Sequence, residues 1–104
     1  MITVKMQGAE KLTGFSLRGH GTENPDDAEG RIICSAVSSA VYLSANTLSE
    51  IVGAKLDVFD DGDIFSVSVR SKLEESQVTL RGLELHLREL SKEYKNSIKI
   101  ISEV

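Results

Sequence analysis

Ile2, Val4 and Met6 alternate with Thr3, Lys5 and Gln7, the two-residue period of a strand with one buried face. Gly8–Lys11 reads as a turn. A second strand from Leu12 to about Gly19 then puts Phe15 and Leu17 on one face and Ser16 and Arg18, with His20 beyond them, on the other. The two strands are expected to form an antiparallel hairpin. Residues 21–30, GTENPDDAEG, carry two glycines, the only proline and four acidic side chains, the composition of a loop.

The period then lengthens. Ile33, Val37, Ala40 with Val41, Ser44, Leu48 and Ile51 with Val52 recur every three or four positions, which predicts a helix from about Arg31 to Val52. Gly53 stands where a left-handed C-terminal cap belongs. Lys55–Phe59 and Ile64–Arg70 form a second pair of strands, facing inward at Leu56 and Val58 and at Phe65, Val67 and Val69. Asp61-Gly62 between them suits a type I′ turn. Ser71 with Glu74 forms a capping box for a second helix, whose stripe is Leu73, Leu80, Leu83, Leu87, Leu90 and Tyr94. Ile98 and Ile100, with Ile101 opposite, close the chain as a short strand. The order ββαββαβ predicts an α+β fold in one domain over residues 1–104. Its five strands make a single mixed or antiparallel sheet with both helices packed on one face.

At 104 residues with 40% hydrophobic content, a chain can bury roughly 60–70% of its unfolded surface without disulfides or metals. Its unbroken apolar runs fall well short of the ~20 residues of a membrane span. The opening MITVKMQG lacks the apolar run of a signal peptide. A single cysteine fits a reducing compartment, so the expected address is cytoplasmic. One cysteine and two histidines at these spacings match no usual zinc ligand set, and no metal or other cofactor is expected. GHGTENPDDAEG lacks the glycine spacing and the lysine of a phosphate loop. The net charge of −4 and the lack of a Lys/Arg cluster argue against direct nucleic-acid binding. A basic peptide is the more natural partner.

Most of the chemistry lies in one stretch, GHGTENPDDAEGRIICSAVSS, residues 19–39. By base rate, a lone cysteine on an apolar helix is a small buried hydrophobe. A helix starting near Arg31 instead puts Cys34 in its first turn, where free N–H groups and the positive end of the helix dipole favour a thiolate nucleophile. His20, at the preceding strand end, is the candidate general base. First-turn amides are candidate oxyanion donors. Ser38, one turn on, either bonds back to a backbone carbonyl, the commoner habit of mid-helix serines, or lines a pocket beside the thiol. His86, within LELHLREL, reads as a solvated histidine, and Asp60, Asp61 and Asp63 as a charged hairpin turn.

A Gly-His pair at a strand end, a polar loop with a Gly, and IICSAVSS opening a helix resemble the ribosomal-processing cysteine protease (Prp) family of bacteria. That family's pattern is Gly-His-Ala, a variable loop, then Gly-x-Asp-Ile/Val-Val-Cys-Ala-x-x-Ser. The MITV opening, the ββαββαβ order, the acidic turn and a Leu-rich second helix ending in EY extend the similarity over the chain. The resemblance implies a cytoplasmic, homodimeric cysteine protease. Its substrate would be ribosomal protein twenty-seven of the large subunit, whose N-terminal extension it removes by cutting next to an aromatic residue. It further implies Cys34 as nucleophile, His20 as general base, and Gly19, Gly21, Gly30 and Ser38 at the substrate. The chain departs from the pattern at Gly21, where the family has Ala, and at Arg31, where it has Asp. Asp26, Asp27 and Glu29 are the nearby carboxylates that could replace that Asp. Two other readings of Cys34 stand beside the protease: a non-enzymatic ribosome-associated interaction protein with a structural cysteine, and a redox-sensing thiol.

Overall fold

A computed structural model describes residues 1–19 and 27–104. The elements are β1 (Ile2–Gln7), β2 (Gly14–Arg18), α1 (Ala28–Asn46), β3 (Leu56–Asp60), β4 (Ile64–Val69), α2 (Leu73–Glu93) and β5 (Ile98–Glu103), the expected ββαββαβ order. The strands form one mixed sheet in the order β3-β4-β2-β1-β5. Its neighbours are antiparallel except β1 and β5, which run parallel in the register Ile2↔Ile98 to Gln7↔Glu103.

The two-residue periods decide which sheet face is covered. Val4 pairs with Leu17, Met6 with Phe15 and Phe15 with Val67, so these side chains share one face. They form a single core with Ile33, Val37, Val41 and Leu48 of the first helical stretch and with Leu80, Leu83 and Leu87 of α2. Each large side chain fully removed from water contributes about 1.5–3 kcal/mol, so this shared stripe holds both helices to the sheet. Thr3, Ser16, Ser66 and Ser68 lie on the other face.

Several local expectations change. The first helix begins at Ala28, because Asp27 is its N-cap and its Oδ1 accepts the Gly30 N–H at 3.0 Å. Residues 28–30 are therefore helix, not loop. The same helical stretch runs to Val52, but residues Thr47–Val52 widen into π-type spacing. The Ser44 and Thr47 hydroxyls donate to the carbonyls of Ala40 and Leu43, at 2.8 and 2.7 Å, a bonding habit that bends helices. The widening leaves Ile51 exposed and Val52 against the core. Gly53 ends the stretch in the left-handed conformation at φ 77°. The 25 residues Ala28–Val52 contain an 18-residue window of mean hydropathy 1.3, long and apolar enough to cross a membrane by length and composition, which counting unbroken apolar runs did not show. In this fold their apolar stripe packs on the sheet.

The capping box at Ser71 does not form. Ser71 Oγ instead accepts the Lys55 amide at 2.9 Å, and Glu74 pairs with Lys11. α2 starts after Lys72, which takes a left-handed conformation at φ 53°. The β3–β4 turn is not type I′ at Asp61-Gly62. Only Gly62 there has positive φ, 87°, whereas type I′ needs it at both central residues. Finally, Val58 points to the helix-bearing face as expected, across from Val67, but it is exposed because the helix layer does not cover the edge strand β3.

Candidate active site

The site builds from the end of β2 and the second turn of α1. Beyond Arg18 the chain passes so close to its own N-terminus that a Cβ on Gly19 would lie 2.3 Å from the Met1 carbonyl oxygen. Its φ of +94° also lies in the region that favours glycine. A glycine is thus required where the strand leads toward His20. His20 and Gly21, the base and one substrate position expected from the motif, lie outside the described residues.

Cys34 is half-buried, on α1, and packs against the core. It opens onto a cavity of about 160 Å³, together with Gly19, Ser38, Val37, Val41, Tyr42 and Phe65. Tyr42 and Phe65 meet edge to face, ring centroids 6.5 Å apart at 73°, a favourable aromatic geometry. Ser38 faces this cavity; among the described residues it makes no hydrogen bond to a backbone carbonyl, so the pocket-lining alternative holds. Gly30 is elsewhere: it is buried in the first turn of α1 and donates to Asp27.

With α1 starting at Ala28, six residues before Cys34 (34 − 28 = 6), the cysteine is not in the first turn. The dipole effect falls off within that turn, and interior helical amides are already paired with carbonyls four residues back. Neither thiolate support nor oxyanion donation therefore comes from the helix start. The Asp that the family pattern places three residues before the cysteine is Arg31 here, and the helix-capping carboxylate is Asp27, one turn earlier.

The remaining wall comes from the β3–β4 turn, whose Asp60, Gly62, Asp63 and Ile64 border the cavity. Backbone amides shape it: Asp60 Oδ1 accepts the Gly62 N–H at 3.0 Å, and Asp61 Oδ1 accepts those of Ile64 at 2.7 Å and Asp63 at 2.9 Å. The amides of Ile64 and Asp63 hold the Asp61 carboxyl below its ordinary titration range. Arg18 reaches across from β2 to Asp63 at 3.1 Å. The three aspartates thus order a hairpin turn, as expected. His86 is exposed on α2, in a separate groove with Ala36, Leu43 and Gly82.

Reasoning from sequence missed the walls. Tyr42 was legible as the next step in Cys34, Ser38, Tyr42, a row at intervals of four that shares one side of a helix. Phe65 and Asp60 join only through the fold.

No curated protein sequence matches the chain. Among solved structures, the ribosomal-processing protease Prp of Staphylococcus aureus with a covalently linked product peptide is similar at TM-score 0.85 and 23% identity, over 99% of this chain and 100% of that one. The same protease with a substrate peptide gives 0.85 and 21%, over 99% and 100%. A Streptococcus mutans protein gives 0.85 and 17%, over 99% and 94%. These likenesses confirm the α+β architecture. The family model described as cysteine protease Prp matches residues 1–99, and the chain belongs to that cysteine protease family.

Proposed function

We propose that this chain is a cysteine endopeptidase that removes the N-terminal extension of a large-subunit ribosomal protein, number twenty-seven, cutting next to an aromatic residue. The observation that carries this reading is convergence. Gly19, Cys34 and Ser38, separated in sequence but set by the family motif, border one cavity, walled by Val37, Val41, Tyr42 and Phe65 on one side and by the β3–β4 turn on the other. An engineered cavity of about 150 Å³ in another protein accepts benzene, so a cavity of 160 Å³ suits an aromatic side chain.

In this mechanism His20 takes the Cys34 thiol proton and the sulfur attacks the scissile carbonyl carbon. The C–N bond breaks as His20 returns the proton to the leaving amine, leaving a thioester on Cys34. Water then hydrolyses the thioester and restores the thiol. His20 holds its role by the motif alone, and Gly21 belongs with it beside the substrate. Because Cys34 lies beyond the first turn of α1, activation of the thiol falls to His20 rather than to the helix. Gly30 acts by forming the first turn of α1, which carries Cys34. The reading includes a homodimer and a cytoplasmic address, and a basic ribosomal segment complements the net charge of −4.

Incubation with an extended ribosomal-protein peptide, followed by mass spectrometry, tests it. Wild type is expected to release the extension at a bond next to an aromatic residue, and Cys34→Ala to release nothing. Cleavage that survives Cys34→Ala, or none of any such peptide by wild type, defeats the proposal.

A further inference from the structure

The cavity beside Cys34 does not stop at its floor. Leu56 pairs with Val69, Val58 with Val67 and Asp60 with Phe65, so these β3 side chains stand on the helix-bearing face of the sheet. Val67 is fully buried there, yet Val58, directly across from it, is 55% exposed. The helix layer therefore thins out over β3: Leu56 is half-buried against the core, while Val58 and Asp60 are left open as a shelf. Asp60 and Phe65 already border the cavity, so the shelf continues it along Asp60 and Val58 to Leu56. Tyr42, 62% exposed and in contact with Phe65, rises from α1 beside the junction of the two.

We propose that this shelf is the distal part of the substrate groove, holding an extended stretch of the substrate chain with Val58 and Tyr42 selecting apolar side chains away from the scissile bond. The proposal rests on the peptidase reading above. Its occupant follows from spacing. Successive positions on one strand face lie about 6.6 Å apart, so Asp60 to Leu56 covers about 13 Å, the length of about four extended residues. An extended peptide presents alternate side chains at the same interval. The shelf also begins at the cavity that holds the thiol. Charge agrees at one end: of the four aspartates in residues 56–64, Asp57 pairs with Arg70 and Asp63 with Arg18, and Asp60, on the shelf where it meets the cavity, favours a cationic residue near the apolar ones of the peptide.

The test compares kcat/KM for three peptides with one cleavage sequence: a long one and two short ones, each cut back from a different end to three residues from the scissile bond. For one end, wild type is expected to prefer the long peptide by about tenfold, the scale of one apolar subsite. Val58→Lys and the milder Val58→Ser should lose most of that preference through KM and cleave the corresponding short peptide as wild type does. Phe59→Ser, on the opposite face of the same strand, should behave as wild type. Alkylation of Cys34 by iodoacetamide should be unchanged in all of them. Equal wild-type cleavage of the long and both short peptides overturns the proposal. So does an equal loss in the Val58 and Phe59 variants, or a Val58 effect that also slows alkylation. If Val58→Lys dissociates a dimer while kcat/KM stays unchanged, a second copy covers the shelf and the substrate assignment is wrong. If wild type cleaves none of the three peptides, the peptidase reading itself fails and takes this one with it.

Discussion

Asp27→Ala separates a helix that starts at Ala28 from one that starts near Arg31. In the structure Asp27 has extended backbone at φ −83° and ψ 91°, and its Oδ1 accepts the Gly30 amide at 3.0 Å. Replacing an N-cap Asp with Ala costs about 1 kcal/mol, within a range of about 0.5–2. Loss of the negative charge beside the helix N-terminus adds about 0.3–1 kcal/mol. A combined loss of about 1–2 kcal/mol lowers Tm by roughly 4–8 °C per kcal/mol in a domain near 100 residues. Asp27→Asn keeps an acceptor at the cap and loses only the charge, so its drop should be at most about half as large. Circular dichroism melts at 222 nm, with urea titrations as a second measure, give both values. An Asp27→Ala variant within about 0.3 kcal/mol of wild type would refute the cap. The helix would then start later, and Cys34 would return to its first turn.

Gly19→Ala should lower both stability and peptide cleavage, because its Cβ would meet the Met1 carbonyl oxygen at 2.3 Å and its φ is positive. A melt at wild-type temperature with full activity would contradict that close approach. Leu87, fully buried in the shared core, should cost about 2–5 kcal/mol as Leu87→Ala in urea unfolding; a loss below about 1 kcal/mol would mean α2 does not pack there. Asp61 titrates lower in the folded chain than in the unfolded one. Its stabilising contribution is therefore present above the unfolded value of about 3.9 and fades as pH falls through the lower folded value. NMR titration of its carboxyl should show that low midpoint, and a midpoint at or above the unfolded value would contradict the amide contacts from Ile64 and Asp63.

What the sequence disclosed depended on range. Ile2, Val4 and Met6, the α2 stripe from Leu80 to Leu87, and Gly53 each express a local period or a single-residue conformational demand, and all were readable in order. The start of α1 was harder. PDDAEGR offers two adjacent aspartates, and Gly30 resembles the end of a loop although a first helical turn tolerates it. Ser71 and Glu74 had the right spacing for a capping box, but Lys55 and Lys11, distant in sequence, took both side chains. Val58 alternates like a buried residue, yet its exposure depends on where the helix layer ends, which no local pattern records. At the site, Gly19, Cys34 and Ser38 could be read from the motif and Tyr42 from its helical row. Phe65 and Asp60 became walls only once β4 paired with both β2 and β3.

Thiol reactivity tests the role of Cys34 most directly. The rate of iodoacetamide alkylation would be followed from pH 5 to 9 in wild type, His20→Ala and Phe59→Ser. An ordinary thiol reacts as the thiolate, with a midpoint of about 8.5. If His20 activates Cys34, wild type and Phe59→Ser will alkylate at pH 6.5 much faster than free cysteine, and His20→Ala will lose that advantage. A wild-type thiol that is inert across the range, or one that reacts identically without His20, would contradict the peptidase assignment at its centre.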